Sequence, residues 1–334
     1  MPILDLGYRK WTGNRSREWM RWSVVARTGI SLVWRGTWLK RFLLFASFPA
    51  VVTMFGVGLF EQSTRDEGYR MMFNQFLASR IEPMGPRNRM RDRSREGARN
   101  RQPIIPVSAD PATQRHLAWS HMLLWYFRYP QALWIVVVIG LVAPRLISYD
   151  LRSRGYLLYL SRPLSPSSYV FGKACVLFFL LAMITTFPAI AVYAFGLLLS
   201  NDSAAFLQTW DIPFRILLST AVLVLPTSAI ALAFSSLTQE SRFAAFAWFA
   251  VWIVGWVTYL VLTGSAMFKA DDLVTLQQRW LLISPYHVLG HLQEEIFGLL
   301  PENQHQMAPW ILCGAVSLVG FGIARWRVAR MLKV

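Results

Sequence analysis

The sequence predicts an all-α polytopic membrane protein with six transmembrane helices and an N-terminal amphipathic helix at the membrane interface. Apolar residues make up 54% of the 334-residue chain and charged residues only 16%, whereas soluble proteins carry about 25% charged residues. The apolar residues concentrate in six runs without Asp, Glu, Lys or Arg, and most of these runs approach the ~20 residues that a helix needs to cross the bilayer. Lipid is therefore the main solvent of this chain.

The first predicted element is a helix over residues 16–35. At the helical periodicity, Trp19 and Trp22 share one apolar face, and Arg17 and Arg21 lie opposite. Helices that lie in the membrane surface place tryptophan at headgroup depth and basic residues toward anionic lipid. We therefore favour an interfacial helix, and the alternative is a helix outside the membrane that packs on protein.

The six apolar runs predict the spans, and charged or polar segments separate them. The predicted spans are residues 42–60, 129–149, 174–200, 214–239, 243–268 and 307–324. The remaining segments are an N-terminal region (1–41), an Arg-rich loop (61–128), a loop between the second and third spans (150–173), an outer loop (269–306) and a C-terminal tail (325–334).

Basic residues are distributed unevenly between the two sides of the predicted bundle. Nine lie in residues 1–41, five in 145–173 and four from 325 onward, whereas 201–213 has none. Because short cytoplasmic loops are enriched in Lys and Arg, both termini are predicted to lie in the cytoplasm and the chain in the inner membrane. The loop from 61 is an exception with many arginines, but loops of this length cross the membrane largely regardless of charge.

Residues that would support catalysis or metal binding are scarce. The sequence contains no G-x-x-x-x-G-K-[ST] phosphate loop and no H-E-x-x-H zinc motif, so we expect no enzymatic site and no cofactor on this chain. On a helix, His287, His291 and Glu294 or Glu295 would share a face and could hold a metal ion. We favour the simpler interpretation, an outer interfacial helix whose histidines meet water or headgroups.

The loop over 150–173 carries the most specific pattern. Its centre, residues 156–160, is apolar and is flanked by charged and turn-forming residues. An apolar helix outside the bilayer needs a surface that covers it. That surface is either the membrane itself or a cytoplasmic protein that docks there.

This loop resembles the segment between the second and third spans of the ABC-2 type permeases, the membrane subunits of bacterial ABC exporters. The outer sequence Ser284-Pro285-Tyr286 is similar to the outer re-entrant or interfacial segment of that family. The matching loop positions are Asp150, Gly155, Leu157 to Leu160, Ser161, Arg162, Pro163, Gly172 and Lys173. The resemblance implies a coupling role toward a separate ATPase for Asp150, Arg152, Gly155, Leu157, Leu158, Leu160, Arg162 and Pro163.

The resemblance also implies a function and a set of partners. It implies the permease subunit of an exporter that forms a homodimer or heterodimer, contacts lipid and binds no nucleic acid. ATP and magnesium would bind to the partner ATPase. Two alternatives remain: a membrane scaffold or sensor that uses the Arg-rich loop as a binding surface, and an intramembrane enzyme, which the missing catalytic motifs disfavour.

Overall fold

The computed structural model describes residues 20–64, 72–73, 110–153, 164–200, 204–264, 277–301 and 304–331. All regular elements within these residues are helical, which confirms the predicted all-α class. The α-helices are α1 (Trp22–Trp34), α2 (Thr37–Ser63), α3 (Pro111–Tyr126), α4 (Ala132–Arg152), α5 (Pro166–Ile184), α6 (Thr186–Leu199), α7 (Ala204–Gln208), α8 (Ile212–Leu237), α9 (Ser241–Thr263), α10 (Pro285–Ile296) and α11 (Met307–Met331). A π-helical segment, Phe127–Gln131, joins α3 to α4, and a 3-10 turn, Leu281–Ile283, precedes α10.

Six helical stretches are long and apolar enough to cross a membrane, which confirms the predicted number of spans. They are Thr37–Ser63, Pro111–Arg152, Pro166–Leu199, Ile212–Leu237, Ser241–Thr263 and Met307–Arg330. Six crossings bring the start of α2 and the end of α11 to the same end of the bundle. We name this the terminal end, and the other the opposite end.

The second helical stretch is much longer than the predicted span 129–149. It begins at Pro111, inside the segment 61–128 that was predicted to be a loop. The predicted span begins only after Arg128, because an unpaired charge in lipid is costly. In the structure Arg128 is paired with Glu294, so its charge does not end the helix.

The third span also begins earlier than predicted, at Pro166 rather than at residue 174. Ser165 caps this start, because its side chain accepts a hydrogen bond from the Ser168 backbone N–H at 3.1 Å. Proline at the first helical position has a pre-set φ and needs no donor there. The last eight residues of the loop 150–173 therefore form the first turns of α5.

The break between α5 and α6 follows from Pro188. Proline lacks the N–H that would bond to the carbonyl of Ile184, four residues earlier. The Tyr126 hydroxyl, which is buried, donates to this Ile184 carbonyl oxygen at 2.8 Å. The second span thus supplies a hydrogen-bond donor to the Ile184 carbonyl, which Pro188 leaves without its usual helical partner.

Helix α8 lies at the centre of the bundle and packs against α4, α5, α9 and α11. Its closest neighbour is α11, because a Cβ added at Gly320 would lie only 2.8 Å from the backbone carbonyl of Ala229. Gly322, two positions beyond on the same helix, has nothing within 4 Å of an added Cβ. The outer faces of α2, α9 and α11 expose large apolar side chains, as expected for surfaces in contact with lipid.

Helix α1 packs along the start of α5. Val25 and Gly29 are buried there, and a Cβ added at Gly172 would lie 2.7 Å from Val25 Cβ. Trp22 meets the ring of Phe171 edge-on at 4.9 Å. One face of α1 therefore contacts protein, as in the alternative interpretation, while Val24, Leu32 and Trp34 are exposed on the remaining surface.

Candidate functional site: ionic clusters at the two ends of the bundle

A buried ionic cluster joins α4 and α5 at the terminal end. Lys173 Nζ lies 2.7 Å from Asp150 Oδ2, and the Tyr169 hydroxyl donates to the same oxygen at 2.6 Å. The side chains of Lys173 and Asp150 are only 7% and 15% exposed. The cluster therefore holds the two helices together on either side of the segment 154–163.

One turn away, a side chain of α8 is inserted into the backbone of α4. The Ser235 hydroxyl donates to the Pro144 carbonyl oxygen at 3.0 Å and accepts from the Ser148 backbone N–H at 3.1 Å. These two backbone groups would bond to each other in a regular helix. A side chain inserted in this way bends a helix and attaches it firmly to its neighbour.

Two of the predicted coupling residues, Asp150 and Arg152, lie among the described residues. Asp150 points into the cluster, whereas Arg152 is 68% exposed and lies 3.4 Å from Glu240 at the start of α9. The others lie outside the described residues, namely Gly155, Leu157, Leu158, Leu160, Arg162 and Pro163. Trp19 and Arg17 of the predicted interfacial helix also lie outside them, while Trp22 and Arg21 lie within.

At the opposite end, α10 is fastened to the π-helical segment by an ion pair. Arg128 Nη1 lies 2.6 Å from Glu294 Oε1, and the guanidinium lies 5.9 Å from the centre of the Tyr286 ring. Gly290 makes room for this arginine, since a Cβ added there would overlap Nη1. The π segment contains Pro130, which lacks an N–H and so interrupts the regular ladder at this point.

The four candidate metal ligands on α10 have separate surroundings. His287 stacks on Tyr259 at 3.5 Å and lies 2.9 Å from the Ser284 hydroxyl. Burial, together with the nearby charge of Arg128, lowers the pKa of His287 to about 3, so it is neutral at pH 7. Glu294 pairs with Arg128, and Glu295 accepts from the Trp310 indole at 2.9 Å.

His291, the fourth of these residues, is buried, and its Nε2 has no hydrogen-bond partner among the described residues. Within the described part of the chain, no group of three or more His, Cys, Asp and Glu side chains is placed to hold a metal ion. The geometry therefore gives no support to the metal hypothesis for α10.

A second ionic cluster at the opposite end joins α2 to α3. Glu61, which is 4% exposed, lies 3.2 Å from Arg115 Nε and accepts from the Trp119 indole at 3.2 Å. Arg115 also donates to Gln208 of α7 at 2.6 Å. Glu61 directly follows the predicted first span, and nothing local in the sequence indicates that it meets Arg115, 54 positions along the chain.

A third cluster surrounds Asp211, immediately before α8. His116 Nε2 lies 2.9 Å from this carboxylate, and Arg215 donates to it from the next turn. Arg215 also donates to the Ile296 carbonyl oxygen at 2.6 Å, at the end of α10. Burial alone would raise the pKa of Asp211, but the hydrogen bonds from His116 and Arg215 outweigh burial and lower it.

The similarity of this chain to a known family extends over the whole helical bundle. The model of a family described as "ABC-2 family transporter protein" matches residues 35–328, from just before α2 to the last turn of α11. A search among curated proteins finds no match.

Proposed function

The chain belongs to the family of ABC-2 transporter proteins, and on this premise we propose that it is the permease of an exporter driven by a separate ATPase. The family match covers all six apolar spans, so the chain is a membrane transport component. Export, the ATPase partner and dimerisation are proposals that follow from the resemblance. ATP and magnesium would bind to the partner.

The observation that carries the proposed coupling is the arrangement around the segment 154–163. The Asp150–Lys173 pair ties the two helices that flank this segment, and Ser235 ties α4 to the central helix α8. A push on the segment would therefore move α4 and α5 together and reach α8. Closure of an ATPase dimer on the cytoplasmic side would move these helices as rigid bodies in this way.

The opposite end carries the contacts that would have to change when the pathway opens there. Ion pairs hold α10 to the π segment and α3 to α2, and the hydrogen bond between His116 and Asp211 holds α3 to the start of α8. Charge pairs have discrete partners, so they favour distinct closed and open arrangements over a continuous range.

The docking test uses the apolar centre of the loop. We expect Leu157→Asp together with Leu160→Asp to abolish co-purification with ATP-binding-cassette ATPases encoded in the same gene neighbourhood. Burying a leucine stabilises a contact by about 1.5–3 kcal/mol, and the new carboxylates would be unpaired. The matched control, Leu157→Met with Leu160→Met, keeps the apolar volume and should co-purify normally.

Thermal unfolding of the purified variants separates docking from folding. If the Asp variant still co-purifies at the wild-type level, the loop is not the docking site and the scaffold alternative gains support. If the Asp variant fails to fold, the apolar centre rests on lipid or on the bundle instead. Arg162→Glu should weaken assembly less, because an exposed ion pair is worth about 0–1 kcal/mol.

The energy source has its own test. The isolated chain should neither bind nor hydrolyse ATP, because its sequence lacks a phosphate loop. ATP turnover by the purified chain that a point mutation in this chain removes would contradict the proposal.

The proposed orientation is tested by thiol labelling in intact cells. The chain has two cysteines, Cys175 and Cys313, so a variant with both changed to alanine provides the background. We expect a membrane-impermeant reagent to label a cysteine at Gly97 but not one at Ser153 or Met331. The reverse pattern would place the termini outside.

A further inference from the structure

A short element with two different faces precedes the fourth span at the opposite end of the bundle. It comprises α7 and the first turn of α8, within residues 204–214. One face is fully buried and includes Ala205, Thr209 and Ile212. The other face is exposed, and its side chains are large and apolar. They are Phe206, Leu207, Trp210 and Phe214, with exposed fractions between 55% and 73%.

Polar contacts on the inward side attach this element to the ionic clusters. Gln208 accepts a hydrogen bond from Arg115 Nη1 at 2.6 Å. Asp211 is the one charged residue in the sequence of 204–214, and its carboxylate is bonded to His116 and Arg215. The charge of this segment is therefore engaged within the bundle, and the exposed face carries no charged side chain.

Exposed apolar side chains also lie shortly before and directly after this element in the chain. Leu198, in the last turn of α6, is 83% exposed, and Leu217 and Leu218 of α8 are about half exposed. The exposed face of the element thus lies where the third span ends and the fourth begins. Tryptophan is enriched at this depth of a membrane, because its ring is apolar and its indole N–H is polar. Trp210 meets the ring of Phe214 edge-on at 6.1 Å.

We propose that this element is an anchor that inserts its exposed face into the headgroup region of the leaflet at the opposite end. Large apolar side chains are stabilised by leaving water in proportion to the apolar area that is buried. Amphipathic helices that lie in the membrane plane bury such a face at the boundary between headgroups and acyl chains. The exposed surface of α1 carries Arg27 and Arg35, whereas this anchor has no such charges and needs no anionic lipid.

The anchor also connects the bilayer to the polar contacts of the bundle. Its inward side is bonded to Arg115, which pairs with Glu61 of α2. A leaflet that holds the exposed face therefore fixes the positions of α3 and α8 relative to the membrane surface. This inference goes beyond the proposed export function and does not depend on the ATPase.

The test measures the membrane depth of residue 207 in the full chain. A variant with Cys175 and Cys313 changed to alanine receives Leu207→Cys, is labelled with a nitroxide and is reconstituted into phosphatidylcholine vesicles. Collisions of the label with oxygen, which concentrates among acyl chains, are compared with collisions with a water-soluble nickel chelate on both sides of the membrane. Leu218→Cys on α8 is the reference for lipid, and Asp110→Cys, at an exposed position before α3, is the reference for water.

We expect the ratio of oxygen to nickel collisions at residue 207 to lie near the Leu218→Cys value and well above the Asp110→Cys value. The ratio should stay the same when phosphatidylglycerol is added to the vesicles. A ratio like that of Asp110→Cys would overturn the proposal, because the face would meet water. Few collisions with either reagent would overturn it too, because a second copy or another protein would then cover the face. A high ratio only with phosphatidylglycerol would assign the contact to charge and contradict an apolar anchor.

Two double variants with the label at residue 207 test whether the neighbouring side chains hold the element in the membrane. Phe206→Ser with Trp210→Ser removes apolar area, so nickel collisions should rise toward the Asp110→Cys value. The matched control, Phe206→Leu with Trp210→Phe, keeps the face apolar and should leave the ratio unchanged. Both variants preserve the inward contacts of Gln208 and Asp211. An unchanged ratio in the serine variant would show that packing of the bundle alone sets this depth, and the anchor would be overturned.

Discussion

The two ends of the bundle are held together in different ways. At the opposite end, polar and charged side chains link elements far apart in the sequence: Glu61 with Arg115, His116 with Asp211, and Arg128 with Glu294. At the terminal end, the buried pair links α4 and α5, which are consecutive helices. The opposite end is thus tied across the whole bundle by pairs of side chains, whereas at the terminal end the buried ion pair makes one rigid hairpin, which Ser235 attaches to α8.

The largest effect is expected from breaking the buried pair at the terminal end. Lys173→Met leaves Asp150 buried with only the Tyr169 hydroxyl as a described partner. Removing one partner of a buried ion pair costs about 3–5 kcal/mol, so Tm should fall strongly. Adding Asp150→Leu should recover most of the loss, because an apolar pair replaces both charges. If the single variant unfolds like the wild type, the pair does not hold this hairpin.

A smaller effect is expected at the opposite end from Glu61→Gln. The change removes the charge that meets Arg115 and leaves that arginine bonded to Gln208. Hydrogen bonds to charged groups are worth about 1.5–3 kcal/mol, so chemical denaturation should show a loss in that range. The neighbouring change Gln62→Ala serves as the control, and an equal loss there would mean that the ionic link adds nothing specific.

The Asp211 cluster should give the opposite end a dependence on pH. Because the folded state lowers the pKa of Asp211, its stabilising contribution is present above the unfolded pKa of about 3.9 and is lost as pH falls through the folded value. The stability difference between wild type and Asp211→Asn, on the order of 1 kcal/mol for a partly exposed pair, should be constant near pH 7. It should shrink below about pH 4. A difference that persists unchanged in acid would show that the aspartate acts through packing.

The smallest effect is expected from Arg152→Ala at the terminal end. This side chain is 68% exposed and lies 3.4 Å from Glu240, and exposed pairs contribute about 0–1 kcal/mol. Thermal unfolding should therefore be nearly unchanged. If Arg152 acts on the ATPase, co-purification will weaken in this variant although its stability does not. A large drop in Tm would instead show that this exposed ion pair stabilises the fold as strongly as the buried one.

Sequence reasoning failed most clearly around Arg128. A charge was treated as the end of a span, because an unpaired arginine in lipid is costly. The partner that removes this cost, Glu294, lies in a different helix, and no local pattern links the two residues. For α1, the interfacial position stays a prediction, and the packing of Gly29 and Gly172 between α1 and α5 is a tertiary contact that the periodicity does not specify.

The sequence by itself determined the all-α class, the six spans and the family. These follow from long apolar runs and short local motifs, because the lipid environment requires each span to satisfy its own backbone as a helix. Only the tertiary structure decided which charges meet, and that Tyr126 donates to the carbonyl freed by Pro188. Such contacts depend on how helices pack side by side, and a residue's position along its own helix does not specify its neighbour on another.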